Sequence, residues 1–346
     1  MTKNRKIIQA VCPTRIDFTG GFTDVLPFRA AQWVDHISLA IKLPVEVTLE
    51  PRGDDLITLE NKRDHTVAAV GSVDEIEDRF SLIRTALNSF GVKSNIAVTI
   101  HSHAPNGAGL GTSGALSVAL VAALYLFTGK AIPNNRGELA FVAAEIERIS
   151  GTMGGLQDQF AAATGGLNLF RFYRSEYSSK RINLSDQLIK ELEQHVVILY
   201  PGGSRRSTDI VTGVMEEYHN GNSMVSSALL SLNELAPKIL KALESAQWGK
   251  LSSLLQSVRE QQVILHLDIV NDGNQKIIDD LNKEGVKGIK LLGGGGSGAC
   301  LLAVSTSDAS RKSIENISKM NGTDIIPVQC VEEGIQVKVE NLVPAI

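Results

Sequence analysis

Residues 105–114 read PNGAGLGTSG, and the apolar run ALSVALVAALYLF follows from Ala115 to Phe127. Upstream, SNIAVTIHSHAP alternates in the manner of a strand. A strand that ends in a glycine-dense loop and restarts as a buried helix narrows the possible folds sharply. Gly107, Gly109, Gly111 and Gly114 let backbone N–H groups approach a ligand closely. The N-terminus of the following helix adds positive partial charge. Pro105, Leu110, Thr112 and Ser113 complete the loop, and the two hydroxyls suit phosphate oxygens or a metal ion. A tight strand-to-helix turn would use the same glycines for packing alone, so other parts of the chain must decide.

Two phosphate-binding patterns fail. Gly109-Leu110-Gly111-Thr112-Ser113-Gly114 spells G-x-G-x-x-G, but a dinucleotide fold needs an acidic residue about 20 positions on, at the end of the next strand. Here that region is GKAIPNNRGE, which leads into a helix, and this disfavours a nicotinamide-dependent dehydrogenase. A P-loop needs a lysine after its last glycine, and no lysine occurs between His101 and Gly129.

The chain has 346 residues, enough for about two domains. Its net charge of −4 argues against a nucleic-acid partner. Cys12, Cys300 and Cys330 are odd in number and far apart, which points to neither a disulfide framework nor a zinc site and fits a reducing compartment. The N-terminus has no apolar core of signal-peptide type, and Ala115–Phe127 is too short to span a bilayer. The expectation is a cytoplasmic protein, monomer or homodimer, with no membrane partner.

Along the chain, KIIQAVCPTRIDF reads as an opening strand running into a Pro-Thr break, and HISLAIKLPVEVTLEP as further strands. DEIEDRFSLIRTALNSFGV and RGELAFVAAEIERIS read as helices that stop at Gly91 and Gly151. The second half carries a buried strand (HVVILY), two helices (ALLSLNELAPKILKALESA and GKLSSLLQSVREQQVIL), a strand–glycine loop–strand unit (VKGIKLLGGGGSGACLLAV) and a last alternating strand (GIQVKVE). The polar stretch RSEYSSKRINLSD marks the expected boundary, with units 1–183 and 184–346.

Pro105-x-x-x-Gly109-Leu110-Gly111-Thr112-Ser113-Gly114 resembles the nucleotide-binding motif of the GHMP kinases, the superfamily of galactokinase, homoserine kinase and mevalonate kinase. Two further stretches resemble the family's other motifs, in the family's order. CPTRIDFTGGFTDVLPF carries Arg15, Asp17, Gly20, Gly21 and Asp24 at matching spacing, and KLLGGGGSGACLLAV carries Gly294, Gly295, Gly296 and Ser297. The resemblance spans nearly the whole chain. It implies an α+β fold of two domains, the first like the second domain of ribosomal protein S5 and the second ferredoxin-like, with an active site between them. It also implies ATP and Mg2+ as cofactors. In EIERISGTMGGLQDQF it implies Asp158 as the catalytic carboxylate and Glu147 as a magnesium ligand beside Ser113. Glu145 is the substitute for Glu147. From its position alone, Asp158 reads as a helix-entry residue. Arg15, if close, would favour the charged form of Asp158 and lower its pKa.

The turn Gly20-Gly21-Phe22-Thr23-Asp24 departs from the Gly-Glu-His-x-Asp of galactokinases and resembles the heptose 7-phosphate kinases and the kinase domain of L-fucokinases. LYPGGSRRSTDIV resembles the heptose 7-phosphate kinases too. The implied reaction is phosphorylation of the anomeric hydroxyl of D-glycero-D-manno-heptose 7-phosphate, with L-fucose or a related free sugar as the alternative acceptor. A non-catalytic sugar sensor is the remote alternative. A phosphorylated sugar needs a second anion site, for which Arg205 and Arg206 are candidates, because guanidinium forks match phosphate oxygens. A solvated basic turn would look the same. Asp24 is expected to bond sugar hydroxyls, its plain alternative being a turn cap. His101 and His103 lie two apart on a strand and share a face, but with no third ligand type nearby a solvent-facing pair is the better reading.

Overall fold

The computed structural model describes residues 6–203 and 208–341. The first half runs β1 (Lys6–Asp17), α1 (Leu26–Arg29), β2 (Val34–Pro51), β3 (Ile57–Asn61), β4 (Thr66–Val70), α2 (Ser81–Ser89), β5 (Ile96–Ser102), α3 (Thr112–Phe127), α4 (Arg136–Ile149), α5 (Gln157–Thr164), β6 (Leu167–Tyr173) and β7 (Glu176–Arg181). The second runs α6 (Asp186–His195), β8 (Val196–Tyr200), α7 (Thr208–His219), α8 (Ser223–Glu244), α9 (Trp248–Leu265), α10 (Asp272–Lys283), β9 (Ile289–Leu291), β10 (Leu301–Val304), α11 (Asp308–Asn321), β11 (Asp324–Ile326) and β12 (Gln336–Asn341).

β1 does not stop at its proline. Pro13 cannot donate to a ladder, and the register with β2 shifts between Cys12 and Thr14, so the break expected there is a bulge inside one strand. The stretch expected to form several strands is the single 18-residue β2. Its first part pairs with β6 and its last part with β5, so one edge of the strand serves two neighbours while the other pairs with β1. The sheet order is β12-β1-β2-β5-β3-β4, with β6 and β7 extending from β2. The pairing of β3 with β5 is parallel, and the other ladders are antiparallel.

α3 begins at Thr112, three residues ahead of the apolar run, because the glycine loop itself supplies its N-cap, Gly111. The helix is buried almost all round, as its uniform apolar sequence requires. Its one buried hydroxyl, Ser117, donates to the Ala143 carbonyl of α4 at 2.7 Å.

The second sheet has the order β11-β8-β10-β9, all antiparallel. In chain order that is 4-1-3-2 on a βαββαβ path, which is the ferredoxin-like connection. The chain then leaves this sheet. β12 pairs with β1 from Lys6↔Asn341 to Val11↔Gln336, and Ile41 bridges Cys330. The expected unit 184–346 therefore keeps its last strand in the first unit's sheet, a pairing that alternation alone could not assign. No helix among the described residues is long and apolar enough to cross a membrane.

Candidate active site

A cleft of about 550 Å³ lies where the two sheets' loops meet. The glycine loop forms one wall: Gly107 through Ser113 line it. Gly109 has φ +73, and its Cα faces the backbone of the third glycine loop, 2.8 Å from where a Cβ on Gly293 would sit. A side chain at 109 would collide with the Leu292 carbonyl, whose carbon would lie only 2.7 Å away. Two backbones touch there, and Cys300 N donates to Ala108 O at 2.9 Å beside them. Both loops are glycine-rich because neither leaves room for a Cβ.

The first intrahelical bond of α3 runs from Ala115 N to Gly111 O at 3.0 Å. The amides of Thr112, Ser113 and Gly114 have no intrahelical acceptor, which makes this end an anion cradle. Gly114 does not line the cleft. It serves by absence of bulk: a Cβ there would lie 2.6 Å from Cβ of Asp158, so the glycine lets α3 and α5 approach. Pro105 is likewise outside the cleft lining, at the mouth of the loop.

Asp158 stands in the first turn of α5 and Arg15 near the end of β1. Arg15 Nε donates to Asp158 Oδ1 at 2.8 Å, its Nη2 lies 2.6 Å from the same oxygen, and its Nη1 donates to Gly109 O. One buried guanidinium thus ties the carboxylate to the glycine loop. The expected lowering of the Asp158 pKa is only part of the balance. Burial pushes this carboxyl up, Arg15 pulls it down, and the Asp24 and Asp17 charges add to the rise, so the net direction is upward.

Glu147 of α4 lines the cleft, accepts from Ser113 Oγ, and accepts from Gln159 Nε2 at 2.6 Å. Burial raises its pKa against the pull of those two bonds, and Asp158 raises it further. Glu145 is outside the cleft, paired with Arg148 at 3.0 Å. The two glutamates are separated as two-residue spacing on a helix requires.

Asp24 lines the cleft but is already engaged. Its Oδ2 accepts from Leu156 N at 2.7 Å and Gln157 N at 2.8 Å, which caps the helix that carries Asp158. Gly21 lines the cleft, whereas Gly20 faces Val258 and Leu232. Asp17 is a correction to the sequence reading. It is fully buried behind the turn, with Oδ1 accepting from Thr19 N, Thr19 Oγ1 and Gly20 N, and Oδ2 from Lys290 Nζ at 2.9 Å. Burial alone would raise its pKa, but Lys290, Arg15 and His36 outweigh that and hold it well below the carboxylate range. Asp17 shapes the turn and does not face the cleft.

Of the third loop, Gly293 and Gly294 line the cleft. Gly295 packs on Ile269, Gly296 N donates to Ile269 O at 3.0 Å, and Ser297 opens onto a different cavity beside Asn274. Arg205 and Arg206 lie outside the described residues. Asp209, which ends the same motif, lines the cleft. Sequence reasoning missed Gln159, whose only signal was its place beside Asp158, and the Thr152–Gly155 wall, which the Gly-Gly turn foreshadowed.

Residues 76–166 match the family described as the GHMP kinases N terminal domain. The chain is 27% identical over 310 residues to the D-glycero-alpha-D-manno-heptose 7-phosphate kinase of Campylobacter jejuni, covering 85% of this chain and 88% of that one. It is 24% identical over 327 residues to the bifunctional fucokinase/GDP-fucose pyrophosphorylase of Arabidopsis thaliana; this covers 87% of the chain but only 30% of that longer protein. Among solved structures, a D-glycero-D-manno-heptose 1-phosphate kinase from Bacteriodes thetaiotaomicron superposes with a TM-score of 0.76 at 20% identity, covering 96% of this chain and 98% of that one. That likeness extends to the whole two-sheet architecture. Residues 76–166 thus carry a GHMP kinase N-terminal domain, and over most of its length the chain is similar to sugar kinases.

Proposed function

We propose that the chain is an ATP- and magnesium-dependent sugar kinase that phosphorylates the anomeric hydroxyl of D-glycero-D-manno-heptose 7-phosphate. The observation that carries the reading is the Arg15–Asp158 pair, set between the N-terminus of α3 and the buried Glu147 in one cleft. The cleft residues fit both cofactors. Free helix amides and a loop without side chains suit a polyphosphate. A buried carboxylate beside a hydroxyl, with one more carboxylate, Asp158, close enough to raise its pKa, suits a hard divalent cation.

When bound, ATP supplies the phosphoryl group, and magnesium neutralises charge that develops on the phosphate oxygens. The amides of Thr112 and Ser113 would hold phosphate oxygens, and Ser113 and Glu147 would hold the metal. Arg15 engages Asp158 through Oδ1, leaving Oδ2 to orient the acceptor hydroxyl and take its proton. A carboxyl with a raised pKa is a stronger base than an exposed aspartate. Asp24 holds α5 in place through Oδ2, and its Oδ1, 3.8 Å from His36 Nε2, is the oxygen offered to a sugar hydroxyl. Arg205 and Arg206 supply the second anion site on the strength of their motif. The two units meeting at the Gly109–Gly293 contact are the first and second domains of the kinase.

The test is ADP release with ATP and magnesium over heptose 7-phosphate, free mannoheptose, L-fucose, galactose and mevalonate. Selective turnover of heptose 7-phosphate is expected. Turnover of L-fucose alone would keep the mechanism and remove the second anion site. ATP binding without turnover of any acceptor would favour the sensor reading.

A further inference from the structure

β2 and β5 run antiparallel with Glu46 directly opposite His101. His103 stands two residues on, just past the strand end, and its side chain returns to the same face. Its ring centroid is 4.3 Å from that of His101, at 43°. His103 Nε2 lies 3.0 Å from Glu46 Oε1, and Gln9 Nε2 of β1 lies 3.5 Å from Oε2. One donor atom from each of Glu46, His101 and His103 falls within 4.8 Å of the others. The third ligand type that the sequence reading found lacking is therefore present, brought in from 55 residues upstream by strand pairing. None of the three lines the catalytic cleft.

We propose that Glu46, His101 and His103 bind a zinc ion. Two imidazoles and one carboxylate are a borderline-soft donor set that prefers late divalent transition metals, whereas magnesium takes oxygen ligands. Tetrahedral coordination at about 2.0–2.1 Å brings ligand atoms to within about 3.5 Å of one another, which side-chain rotation on fixed strands can provide. Three protein ligands leave a fourth position for water. The Glu46 and His103 side chains are 29% and 41% exposed, so an ion can enter. Gln9 then holds the carboxylate oxygen not used by the metal, the outer support that such ligands usually have. The site ties two strands together where β5 hands over to the glycine loop: His103 N donates to Pro44 O at 3.0 Å, two residues before Pro105.

The competing account is an exposed imidazole–carboxylate pair with no metal. Chelator-stripped full-length chain should be titrated with Zn2+ against a chromophoric chelator, in millimolar magnesium so that Glu147 does not compete. One equivalent is expected to bind, with affinity falling roughly tenfold or more in His101→Ala and His103→Ala. Substituting Co2+ should give a visible d–d band that both variants lose. Zinc should raise the Tm of the wild type and leave that of the variants unchanged. If His101→Ala fails to fold, His103→Ala and Glu46→Gln, at exposed or half-buried positions, carry the test. Equal zinc affinity in wild type and variants, or no binding in the wild type, would overturn the site. Kinase turnover without zinc should be unchanged in the variants, so the outcome is separable from that of the acceptor assay.

Discussion

Arg15 and Asp158, 143 residues apart, share one oxygen: Arg15 Nε and Nη2 both reach Asp158 Oδ1, at 2.8 and 2.6 Å. The second carboxylate oxygen is the one proposed to take the acceptor proton. Asp158→Asn keeps the shape and loses the proton acceptor. Turnover should fall by about 10²- to 10⁴-fold, with ATP affinity near that of the wild type. Steady-state kinetics with an ATP-binding titration checks both. Near-normal turnover would remove Asp158 from the catalytic role.

The same pair sets a pH limb. Burial, Asp24 and Asp17 raise the Asp158 pKa and Arg15 opposes them. Arg15→Met removes the opposing charge, so the pKa should rise further and the acid limb of kcat/KM should move to higher pH. A profile that shifts the other way, or stays fixed while activity falls, would leave Arg15 with a purely architectural part.

Glu147 and Glu145, two residues apart on α4, make a variant and its control for the proposed metal site. Glu147→Gln keeps one acceptor oxygen, enough for Ser113 Oγ, turns an NH2 toward Gln159 and discards the charge. The magnesium concentration for half-maximal rate should rise by about tenfold or more. Glu145→Gln, whose partner is Arg148 at the surface, should change it little. Rate against free magnesium at saturating ATP is the measurement.

The parts of the site that lie within one stretch of chain were legible in the sequence. Loop 105–114, the Glu147 helix and the turn before Asp158 carry spacing that survives folding. What joins them did not show. Lys290 meets Asp17 across 273 residues, β12 returns to β1 from the chain's far end, and Glu46 reaches His101 only through register. Such contacts depend on which strands pair, and periodicity says that a strand exists without saying beside what. Asp17 illustrates the cost: its motif position suggested a ligand contact, and its burial makes it a brace.

Gly109 tests the junction of the two loops. Ala at this position must adopt φ +73, which costs about 1–3 kcal/mol, and must also displace the Leu292 backbone. Gly109→Ala should lower the unfolding free energy from urea titration by at least that and raise the KM for ATP. Gly129→Ala is the control: it shares a positive φ of +76 but has open space around it, so it should show the backbone cost alone. If the two variants lose the same stability and both keep the wild-type KM, the loop contact contributes nothing of its own.

The Lys290–Asp17 pair joins the two sheets inside the protein, with both side chains at zero exposure. Lys290 Nζ also donates to Asp17 O at 2.6 Å. Lys290→Met leaves Asp17 buried with its opposite charge gone, and removing one partner of such a pair costs about 3–5 kcal/mol. The loss should depend on pH in a set direction. Asp17 has a folded pKa well below its unfolded value of about 3.9, so its contribution is full above that value and is lost as pH falls through the folded one. In Lys290→Met the depression relaxes. The stability gap between wild type and variant should therefore be largest near neutrality and shrink as the solution is acidified below about pH 4. Urea unfolding at a series of pH values measures it. A gap that stays constant or widens in acid would mean that the loss comes from packing around the lysine stem and not from the charge on Asp17.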